Sequence, residues 1–288
     1  MTHKLTKLPK NTFEVLLTIP WSVIKKEYDL AFLKIQADLQ VEGFRKGKAP
    51  KNIAEKHIKK DSVYEEAIQV LIPRLYQEVL KKEDLKPITQ PKVELIKAKE
   101  DEDWEVKITF ATKPEIKLGD YKTKIKSLDS KTKKDEIWVP GKDKTKKEIS
   151  PEEKKQQHLN DALNTLLKEA VCEIPDLLVN TELEHRLTQL VDDVQKIGLT
   201  MDAYLKSKDL TIEVVKTRYK REIEEMYKLE FLLMEIADAE KIEIKKEDID
   251  KLFLTITDEK ERKAAEQNSY YYASLLRKQK TLDFITNL

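Results

Sequence analysis

The chain has 288 residues, and its 55 lysines and arginines nearly equal its 54 aspartates and glutamates, which leaves a formal net charge of +1. Charged residues make up 38% of the sequence and hydrophobic residues 40%. The balanced charge argues against a protein that attracts polyanions over its whole surface, and the apolar content is too high for a disordered chain. A chain of this length predicts about two domains.

Few residues are available for catalysis, metal binding or disulfides. The single cysteine, Cys172, excludes an intrachain disulfide, which fits a reducing compartment. It ends an apolar helical stripe without a histidine nearby in sequence, so we predict a buried structural thiol rather than a nucleophile. The histidines are scattered and lack the spacing of a zinc site; they are His3, His57, His158 and His185. We therefore predict no catalytic residue, no metal and no cofactor.

No segment predicts a membrane span or a secretory leader. The apolar run Phe231-Leu232-Leu233-Met234 is closed by a glutamate, far short of the roughly 18 apolar residues that a span needs. The largely apolar run Phe13–Leu17 follows three lysines, but it is short and ends near Pro20 without a small-residue cleavage site. We predict a strand there, no membrane partner, and a cytoplasmic protein.

Residues 1–118 show an α+β pattern. In chain order, the apolar periodicity predicts strands at 3–8 and 12–19, a helix capped by Ser22 and reaching about residue 40, a short helix from Pro50, a longer helix from Asp61, and strands at 92–96 and 104–110. Strands that alternate in period 2, joined by short turns, favour an antiparallel sheet packed against helices.

Residues 119–150 differ in composition from the segments on either side. From Lys122 to Ser150 there are ten lysines and five acidic residues, a local charge of +5. The only substantial apolar run in this segment is Ile137-Trp138-Val139-Pro140. We predict a lysine-rich linker or irregular arm.

From residue 151 to the end, the pattern is helical. Ser150-Pro151-Glu152-Glu153 predicts a capping box, and Gly198 predicts the left-handed end of a later helix. Thr211 opens a long helix, and the last helix is predicted from Asp258 to about Ile285. Because these helices are long and their apolar stripes narrow, we predict an extended all-α domain with helical arms.

One loop carries the strongest functional signal. Gly43 and Gly47, two of only five glycines, bracket an aromatic residue, Phe44, that is followed by two cations. From Glu42 to Lys60 there are seven basic and two acidic residues. A loop with an exposed aromatic ring beside cations suits docking on RNA and protein. The cations can contact phosphates, while the ring stacks on a base or fills an apolar pocket. The same residues also fit an ordinary helix connection in which Phe44 is buried and the lysines are solvated.

The run Gly43-Phe44-Arg45-Lys46-Gly47-Lys48-Ala49-Pro50 resembles the ribosome-binding signature of trigger factor, the bacterial chaperone family that meets nascent chains at the exit tunnel. The resemblance implies that three residues of the loop contact the large ribosomal subunit near the tunnel exit, both its protein and its rRNA. The predicted ribosome-binding residues are Gly43, Phe44, Arg45, Lys46, Gly47, Lys48 and Pro50, of which Phe44, Arg45 and Lys46 carry the contact and the glycines and proline shape the loop.

The C-terminal part is similar to the same family more loosely. Residues 173–182 resemble the start of an arm of the family's chaperone domain, and residues 275–285 resemble its terminal helix. The resemblance implies three regions: a ribosome-binding domain at 1–118, a linker at 119–150, and a client-binding chaperone domain at 151–288. It also implies nascent or unfolded polypeptides as partners and a weak homodimer. We name Leu199, Met201, Tyr204 and Tyr271 as candidate client-binding residues.

The sequence departs from the family between these regions. Trigger factors normally carry a prolyl-isomerase domain of the FK506-binding type there, yet residues 119–150 are too few for a folded domain, which needs about 50. We therefore predict a chaperone without isomerase activity. No phosphate-binding loop is present, so we predict no nucleotide partner and an ATP-independent cycle.

Two other functions remain open from the sequence. The basic loop and lysine-rich segment also fit a factor that binds ribosomal RNA and has no chaperone role. The helical C-terminal part also fits a holdase that works independently of the ribosome.

Overall fold

A computed structural model describes residues 1–127, 150–254 and 258–288. The chain divides into two compact units, one comprising Met1–Lys113 with Pro175–Leu178 and the other Pro114–Ile174 with Val179–Leu288. Most of the predicted lysine-rich segment, including the run Ile137–Pro140, lies outside the described residues.

The first unit is an α+β fold, as the sequence predicts. Its elements are β1 (Thr2–Leu8), β2 (Thr12–Ile19), α1 (Trp21–Asp38), α2 (Lys51–His57), α3 (Lys60–Lys82), β3 (Lys92–Lys97) and β4 (Trp104–Ala111). The four strands pair antiparallel in the order β1-β2-β4-β3. The two central strands are therefore β2 and β4, the two with the clearest period-2 alternation.

One face of the sheet and the apolar sides of α1 and α3 make the core of this unit. Val15, Leu17 and Ile19 of β2 are fully buried, and Val106, Ile108 and Phe110 of β4 are buried with them. From the helices, Ile24 and Leu71 pack into the same cluster. Alternation places every second strand residue on the helix-covered face, so local pattern and tertiary packing agree.

The start of α1 differs from the prediction. Ser22 does not cap the helix, which begins at Trp21 after Pro20 and has no local side-chain cap. Instead, the Trp21 backbone N–H donates to Oδ1 of Asp103 at 3.0 Å, from the turn before β4. A carboxylate at this position satisfies an otherwise unpaired N–H group and complements the positive end of the helix dipole.

The second unit is mostly helical, which confirms the predicted all-α C-terminal region. Its elements are β5 (Ile116–Lys117), α4 (helical through the described residues 121–127), α5 (Pro151–Glu169), β6 (Val171–Cys172), α6 (Asp176–Lys196, whose first residues belong to the first unit), α7 (Met201–Ser207), α8 (Ile212–Ala239), α9 (Lys246–Leu254), α10 (Glu259–Gln267) and α11 (Ser269–Thr286). Strands β5 and β6 pair with each other. Among the described residues, no helix combines the length and hydropathy that a bilayer crossing requires.

The core of the second unit lies where α5, α8 and α11 meet. Leu166, Leu232 and Ile285 are fully buried there, one from each helix, and Tyr121 and Ile125 of α4 complete the cluster. Each helix contributes a narrow stripe to this cluster, so much of its remaining circumference faces solvent.

The capping signals in this unit are confirmed in detail. The Glu153 backbone N–H donates to Oγ of Ser150 at 3.2 Å, and the Ser150 N–H donates to Oε2 of Glu153 at 2.9 Å. This reciprocal pair is the predicted capping box of α5. Thr211 caps α8 by accepting from the N–H of Val214, and Gly198 has a positive φ of 76° just after α6.

The last predicted helix is two helices. The prediction of one helix from Asp258 to about Ile285 was wrong, because α10 ends at Gln267 and α11 begins at Ser269. Between them, Asn268 leaves helical geometry, and its side-chain amide donates to the Ala264 carbonyl at 3.1 Å. Asparagine competes with the backbone for such carbonyls, which ends the helix at this point.

Tyr76 in the core of the first unit has a buried hydroxyl group. Its ring is buried and meets Phe110 edge-on at 5.4 Å, but its hydroxyl has no hydrogen-bond partner among the described residues. Burial raises the pKa of the Tyr76 hydroxyl to about 12.

We expect Tyr76→Phe to leave the free energy of unfolding at pH 7 unchanged or to raise it by about 1 kcal/mol, because an unpaired buried hydroxyl is removed. Between pH 10 and 12, Tyr76 loses its proton in the unfolded chain but keeps it in the folded one. The free energy of unfolding of the unchanged chain therefore falls as pH rises through this range. Urea unfolding across this range should show a smaller alkaline loss in Tyr76→Phe than in the unchanged chain. A loss of more than about 1 kcal/mol at pH 7 would contradict the unpaired hydroxyl.

Candidate functional site

The loop between α1 and α2 is closed at its base by backbone and side-chain hydrogen bonds. The Gly47 N–H donates to the Leu39 carbonyl at 2.9 Å, and Nε2 of Gln36 donates to the Ala49 carbonyl at 2.7 Å. Because both bonds join the end of α1 to the far side of the loop, the intervening residues project from a fixed base.

Two tight turns shape the projecting part of the loop. The Phe44 N–H donates to the Val41 carbonyl at 3.1 Å, and the Lys48 N–H donates to the Arg45 carbonyl at 2.9 Å. These turns fix the backbone on both sides of the Phe44-Arg45-Lys46 run. The buried side chains of Val41 and Ala49 anchor the two ends.

Glycine is required at positions 43 and 47 for different structural reasons. Both lie at positive φ, 83° for Gly43 and 73° for Gly47. A Cβ on Gly47 would lie 2.5 Å from the Ala37 carbonyl oxygen, whereas a Cβ on Gly43 would meet no atom within 4 Å. Gly47 is therefore required by close backbone approach as well as by conformation, and Gly43 by conformation alone.

Phe44 and the loop cations lie at the surface. The Phe44 side chain is 36% exposed and belongs to none of the three buried clusters, so the alternative in which it is buried in the core does not hold. Arg45 and Lys48 are exposed and have no ion-pair partner in residues 1–127, 150–254 or 258–288. The loop thus presents an aromatic ring beside two cations that are unpaired within this part of the chain.

The other cation of the run is paired. Nζ of Lys46 lies 2.9 Å from Oδ1 of Asp38, the last residue of α1. The hydrogen bond from Lys46, together with its charge, lowers the pKa of the Asp38 carboxyl. Just beyond the loop, the ammonium of Lys51 lies 5.6 Å from the centre of the Phe32 ring.

The predicted ribosome-binding residues therefore lie together in one ordered loop, with Pro50 at the N-terminal cap of α2. Sequence reasoning missed the residues of α1 that hold this loop, Gln36 and Asp38. Two polar residues in the last turn of a helix are the only signal for them, and helix ends commonly carry such residues without a partner in a loop.

The four candidate client-binding residues do not form one cluster in sequence or fold. Leu199 is exposed in the turn before α7, and Met201 and Tyr204 follow in α7 with part of their side chains covered. Tyr271 is exposed on α11, where its ring contacts Tyr272 at 5.5 Å. The structure thus places three of them on α7 and its preceding turn, and the fourth on the last helix.

A groove lies at α9 and α10, next to the helix that carries Tyr271. It encloses about 500 Å³ and is lined by Lys246, Ile249, Asp250, Phe253, Leu254, Arg262, Glu266 and Ser269. Its apolar residues lie on α9, and its two basic and two acidic residues balance in charge. Such a lining suits an uncharged apolar segment better than an ionic ligand.

Aromatic residues extend this surface onto α11. The Phe253 ring meets Tyr272 edge-on at 5.6 Å, and Tyr272 in turn meets Tyr271. Leu254 is 76% exposed and Tyr270 is 89% exposed. The sequence pointed to the run Tyr270-Tyr271-Tyr272 as a candidate client surface, from which Tyr271 was chosen; it did not indicate α9, for which the Leu-Phe-Leu sequence at the end of that helix was the signal.

Other apolar side chains are exposed singly over the second unit. They include Val171, Ile197, Leu199, Val214, Met226, Met234 and Leu275. They lie among many charged residues, so the unit presents scattered apolar groups rather than one large patch.

The surroundings of the single cysteine do not activate its thiol. Cys172 lies in the short strand β6 rather than at the end of a helix, and it is only partly buried. Burial raises the pKa of its thiol, which disfavours the thiolate that a nucleophile needs. Among the described residues, no group of three or more His, Cys, Asp or Glu side chains is arranged to hold a metal ion.

Comparison with protein families and known relatives assigns similarity along nearly the whole chain. The family model described as bacterial trigger factor protein matches residues 1–138, and the one described as bacterial trigger factor protein C-terminus matches residues 142–286.

Curated relatives match over shorter stretches. Trigger factor of Streptococcus pneumoniae (strain Hungary19A-6) is 32% identical over 162 residues, 56% of this chain and 35% of the relative. Trigger factor of Streptococcus mutans is 40% identical over 108 residues, 38% of this chain and 25% of the relative. That of Staphylococcus aureus (strain JH9) is 34% identical over 138 residues, 48% of this chain and 32% of the relative. The matches span about a quarter to a third of the length of these relatives.

A solved structure described as "Promiscuous Substrate Recognition in Folding and Assembly Activities of the Trigger Factor Chaperone" aligns with a TM-score of 0.65 at 16% identity. The alignment covers 100% of this chain and 99% of the solved chain. At this identity, it shows that the fold is shared.

The loop geometry predicts unequal effects of alanine at its two glycines. Gly43→Ala should cost about 1 kcal/mol of unfolding free energy, since only a left-handed conformation is strained. Gly47→Ala should cost more, on the order of 2–4 kcal/mol, or separate the loop from α1, since the added Cβ also meets the Ala37 carbonyl. Urea unfolding and hydrogen exchange of the residue 47 amide would measure this. Equal effects at both positions would show that the close approach to α1 does not constrain the loop.

Proposed function

Because the chain belongs to the trigger factor family, we propose that it is an ATP-independent chaperone that docks on the large ribosomal subunit near the nascent-chain exit and shields emerging polypeptides. The single observation that carries this proposal is the ordered loop at residues 39–50, which projects from a closed base an aromatic ring and two cations, Arg45 and Lys48, that have no ion-pair partner among the described residues. The description of the solved structure refers to promiscuous substrate recognition in folding and assembly by the trigger factor chaperone, and this supports the chaperone role.

The loop fits a surface made of both RNA and protein. Arg45 and Lys48 are free to contact phosphate oxygens, and the Phe44 ring is free to stack on a base or enter an apolar pocket. Because Gly47 and the turns fix the loop before docking, little conformational entropy is lost on binding. Such a contact is sensitive to salt, since counterions are released from the RNA.

Clients bind to the second unit in this proposal. Its exposed apolar side chains are separated by charges, so an unfolded segment gains several small contacts rather than one deep site. The groove at α9 and α10, together with the exposed Tyr270 and Tyr271, offers an apolar surface for such contacts. Weak contacts release the client without nucleotide hydrolysis, and docking on the ribosome raises the local concentration of the client surface.

We assign residues 1–118 to ribosome binding, 119–150 to a linker and 151–288 to client binding, in a protein of the cytoplasm. The compact units divide slightly earlier, at Lys113 and Pro114, and residues 121–127 are helical and pack in the second unit. Family membership also supports a weak homodimer away from the ribosome.

The docking proposal is tested by co-sedimentation with bacterial 70S ribosomes. We expect the variant Phe44→Ala, Arg45→Ala, Lys46→Ala to bind at least about tenfold more weakly than the unchanged chain, since the aromatic contact of Phe44 and the phosphate contact of Arg45 are lost. The charge control is Lys81→Ala with Lys82→Ala, at the exposed end of α3.

Equal binding by the loop variant and the unchanged chain would contradict loop docking and favour diffuse binding of ribosomal RNA, which naked rRNA would then reproduce. Failure of the unchanged chain to bind would leave the ribosome-independent holdase as the supported function.

Client binding is tested by suppression of aggregation of a denatured enzyme after dilution. Leu254→Ser, Tyr270→Ser, Tyr271→Ser should raise the concentration for half suppression by roughly tenfold, since apolar contact of about 1–2 kcal/mol is removed. The control is Leu30→Ser, Leu33→Ser, Val70→Ser, three apolar residues of the first unit that are 46–58% exposed. If the control variant loses as much activity, the client surface is not at α9–α11.

We also propose that the chain does not catalyse prolyl isomerisation. The two family models meet between residues 138 and 142, which leaves no room for a further folded domain of about 50 residues. A protease-coupled isomerisation assay should give the uncatalysed rate at micromolar protein, and catalysis that rises in proportion to protein concentration would contradict this.

A further inference from the structure

The three residues expected to carry ribosome contact do not have equal electrostatic surroundings. Arg45 and Lys48 have no ion-pair partner in the described part of the chain, whereas the Lys46 ammonium is held 2.9 Å from the Asp38 carboxylate. The Phe44-Arg45-Lys46 run thus contains one outward, unpaired cation and one cation that is bound to the protein itself.

We propose that Lys46 is a positioning residue: it stays paired with Asp38 when the protein docks and holds the loop against α1, while Arg45 and Lys48 supply the cations that contact phosphate. This inference rests on the proposed docking function and divides the loop residues by role. It makes Asp38, which no resemblance points to, part of the docking machinery.

The position of Asp38 explains why it needs a cation. It is the last residue of α1, where the helix dipole is negative and an acidic side chain is unfavourable. The last turn of α1 contains no basic residue. Lys34, one turn earlier, is paired with Glu66 of α3. The ammonium of Lys46 is therefore the main group that compensates the Asp38 charge, with a smaller contribution from Lys34.

The pair lies directly beside the backbone closure of the loop. Lys46 pairs with Asp38. The residues that follow them in the chain, Gly47 and Leu39, form the backbone hydrogen bond from the Gly47 N–H to the Leu39 carbonyl. Two adjacent contacts therefore fix the register of the loop against the helix end. This register sets the direction in which Arg45 projects, because the Arg45 carbonyl is already bound in the turn to Lys48.

The pair is exposed, so its effect on affinity is modest. The side chains of Lys46 and Asp38 are 58% and 81% exposed. Exposed ion pairs of this kind change an equilibrium by about fivefold or less. A cation that contacts phosphate has a different signature, because each such contact steepens the dependence of log affinity on log salt by about 0.7–0.9.

The salt dependence of binding to purified 70S ribosomes separates these roles. Affinity is measured across a potassium chloride series at fixed magnesium for the unchanged chain, Arg45→Gln and Lys46→Gln. We expect Arg45→Gln to reduce the slope by about 0.7–0.9, and Lys46→Gln to leave the slope unchanged while weakening binding by about fivefold or less. An equal loss of slope in both variants would overturn the inference.

A charge exchange gives a second, independent readout. Lys46→Asp alone should weaken docking more than Lys46→Gln does, because two carboxylates then face each other at the end of α1. Lys46→Asp combined with Asp38→Lys restores an ion pair in the same place, and binding should recover from the level of Lys46→Asp towards that of the unchanged chain, with the same salt slope as the unchanged chain. If the exchanged pair binds as weakly as Lys46→Asp alone, the Lys46 charge itself contacts the ribosome and the inference fails.

Failure of this inference and of the proposed function are distinguishable. If the unchanged chain does not bind ribosomes, the docking function fails and the inference fails with it. If the unchanged chain binds and Lys46→Gln loses slope as Arg45→Gln does, docking stands and only the positioning role is wrong.

Discussion

The packing of α1 and α3 on one face of the antiparallel sheet is the interaction on which the first unit and its loop depend. The buried residues of β2 and β4 can be covered only if α1 keeps a fixed direction across the sheet. At one end, Asp103 binds the first N–H of α1, and near the middle the buried Glu27 carboxylate accepts from Arg74 of α3 at 2.9 Å. The other end of α1 is therefore rigid enough to support a projecting loop.

That rigidity gives the loop its properties. The turn residues do not bury the ring of Phe44, and the closure at Gly47 leaves no room for a side chain against α1. A flexible loop with the same residues would lose conformational entropy on contact with RNA, whereas this one is already ordered by its own hydrogen bonds. The fixed position of its cations, rather than their number, distinguishes this loop from the other lysine-bearing surfaces of the chain.

In the proposed function, the second unit meets a different requirement, since it must bury enough apolar surface to fold and leave enough exposed to bind clients. Narrow helical stripes satisfy both demands. On α8, Leu232 and Ile236 are buried in the core, while Met234 between them is exposed. The same helix therefore stabilises the unit and contributes to its apolar exterior, with charged neighbours that limit self-association.

The sequence by itself determined the α+β and all-α regions, the capping box at Ser150 and the existence of the loop between Gly43 and Gly47. These features depend on residues close in the chain, because strand alternation, helical stripes, caps and glycine conformations are local. It also predicted which loop residues belong together, through their resemblance to a family motif. It did not predict that α10 and α11 separate at Asn268, because asparagine is tolerated inside many helices and its effect depends on the hydrogen bond that it forms.

Only the tertiary structure determined which residues distant in sequence contact each other. Asp103 replaces the predicted Ser22 cap over a separation of 82 residues, and Asp38 pairs with Lys46 after the loop has folded back on α1. The groove at α9 and α10 and its continuation to Tyr271 likewise require helices to meet in space. Such contacts carry no periodic signal, because they depend on where the packed core places each helix end and each turn.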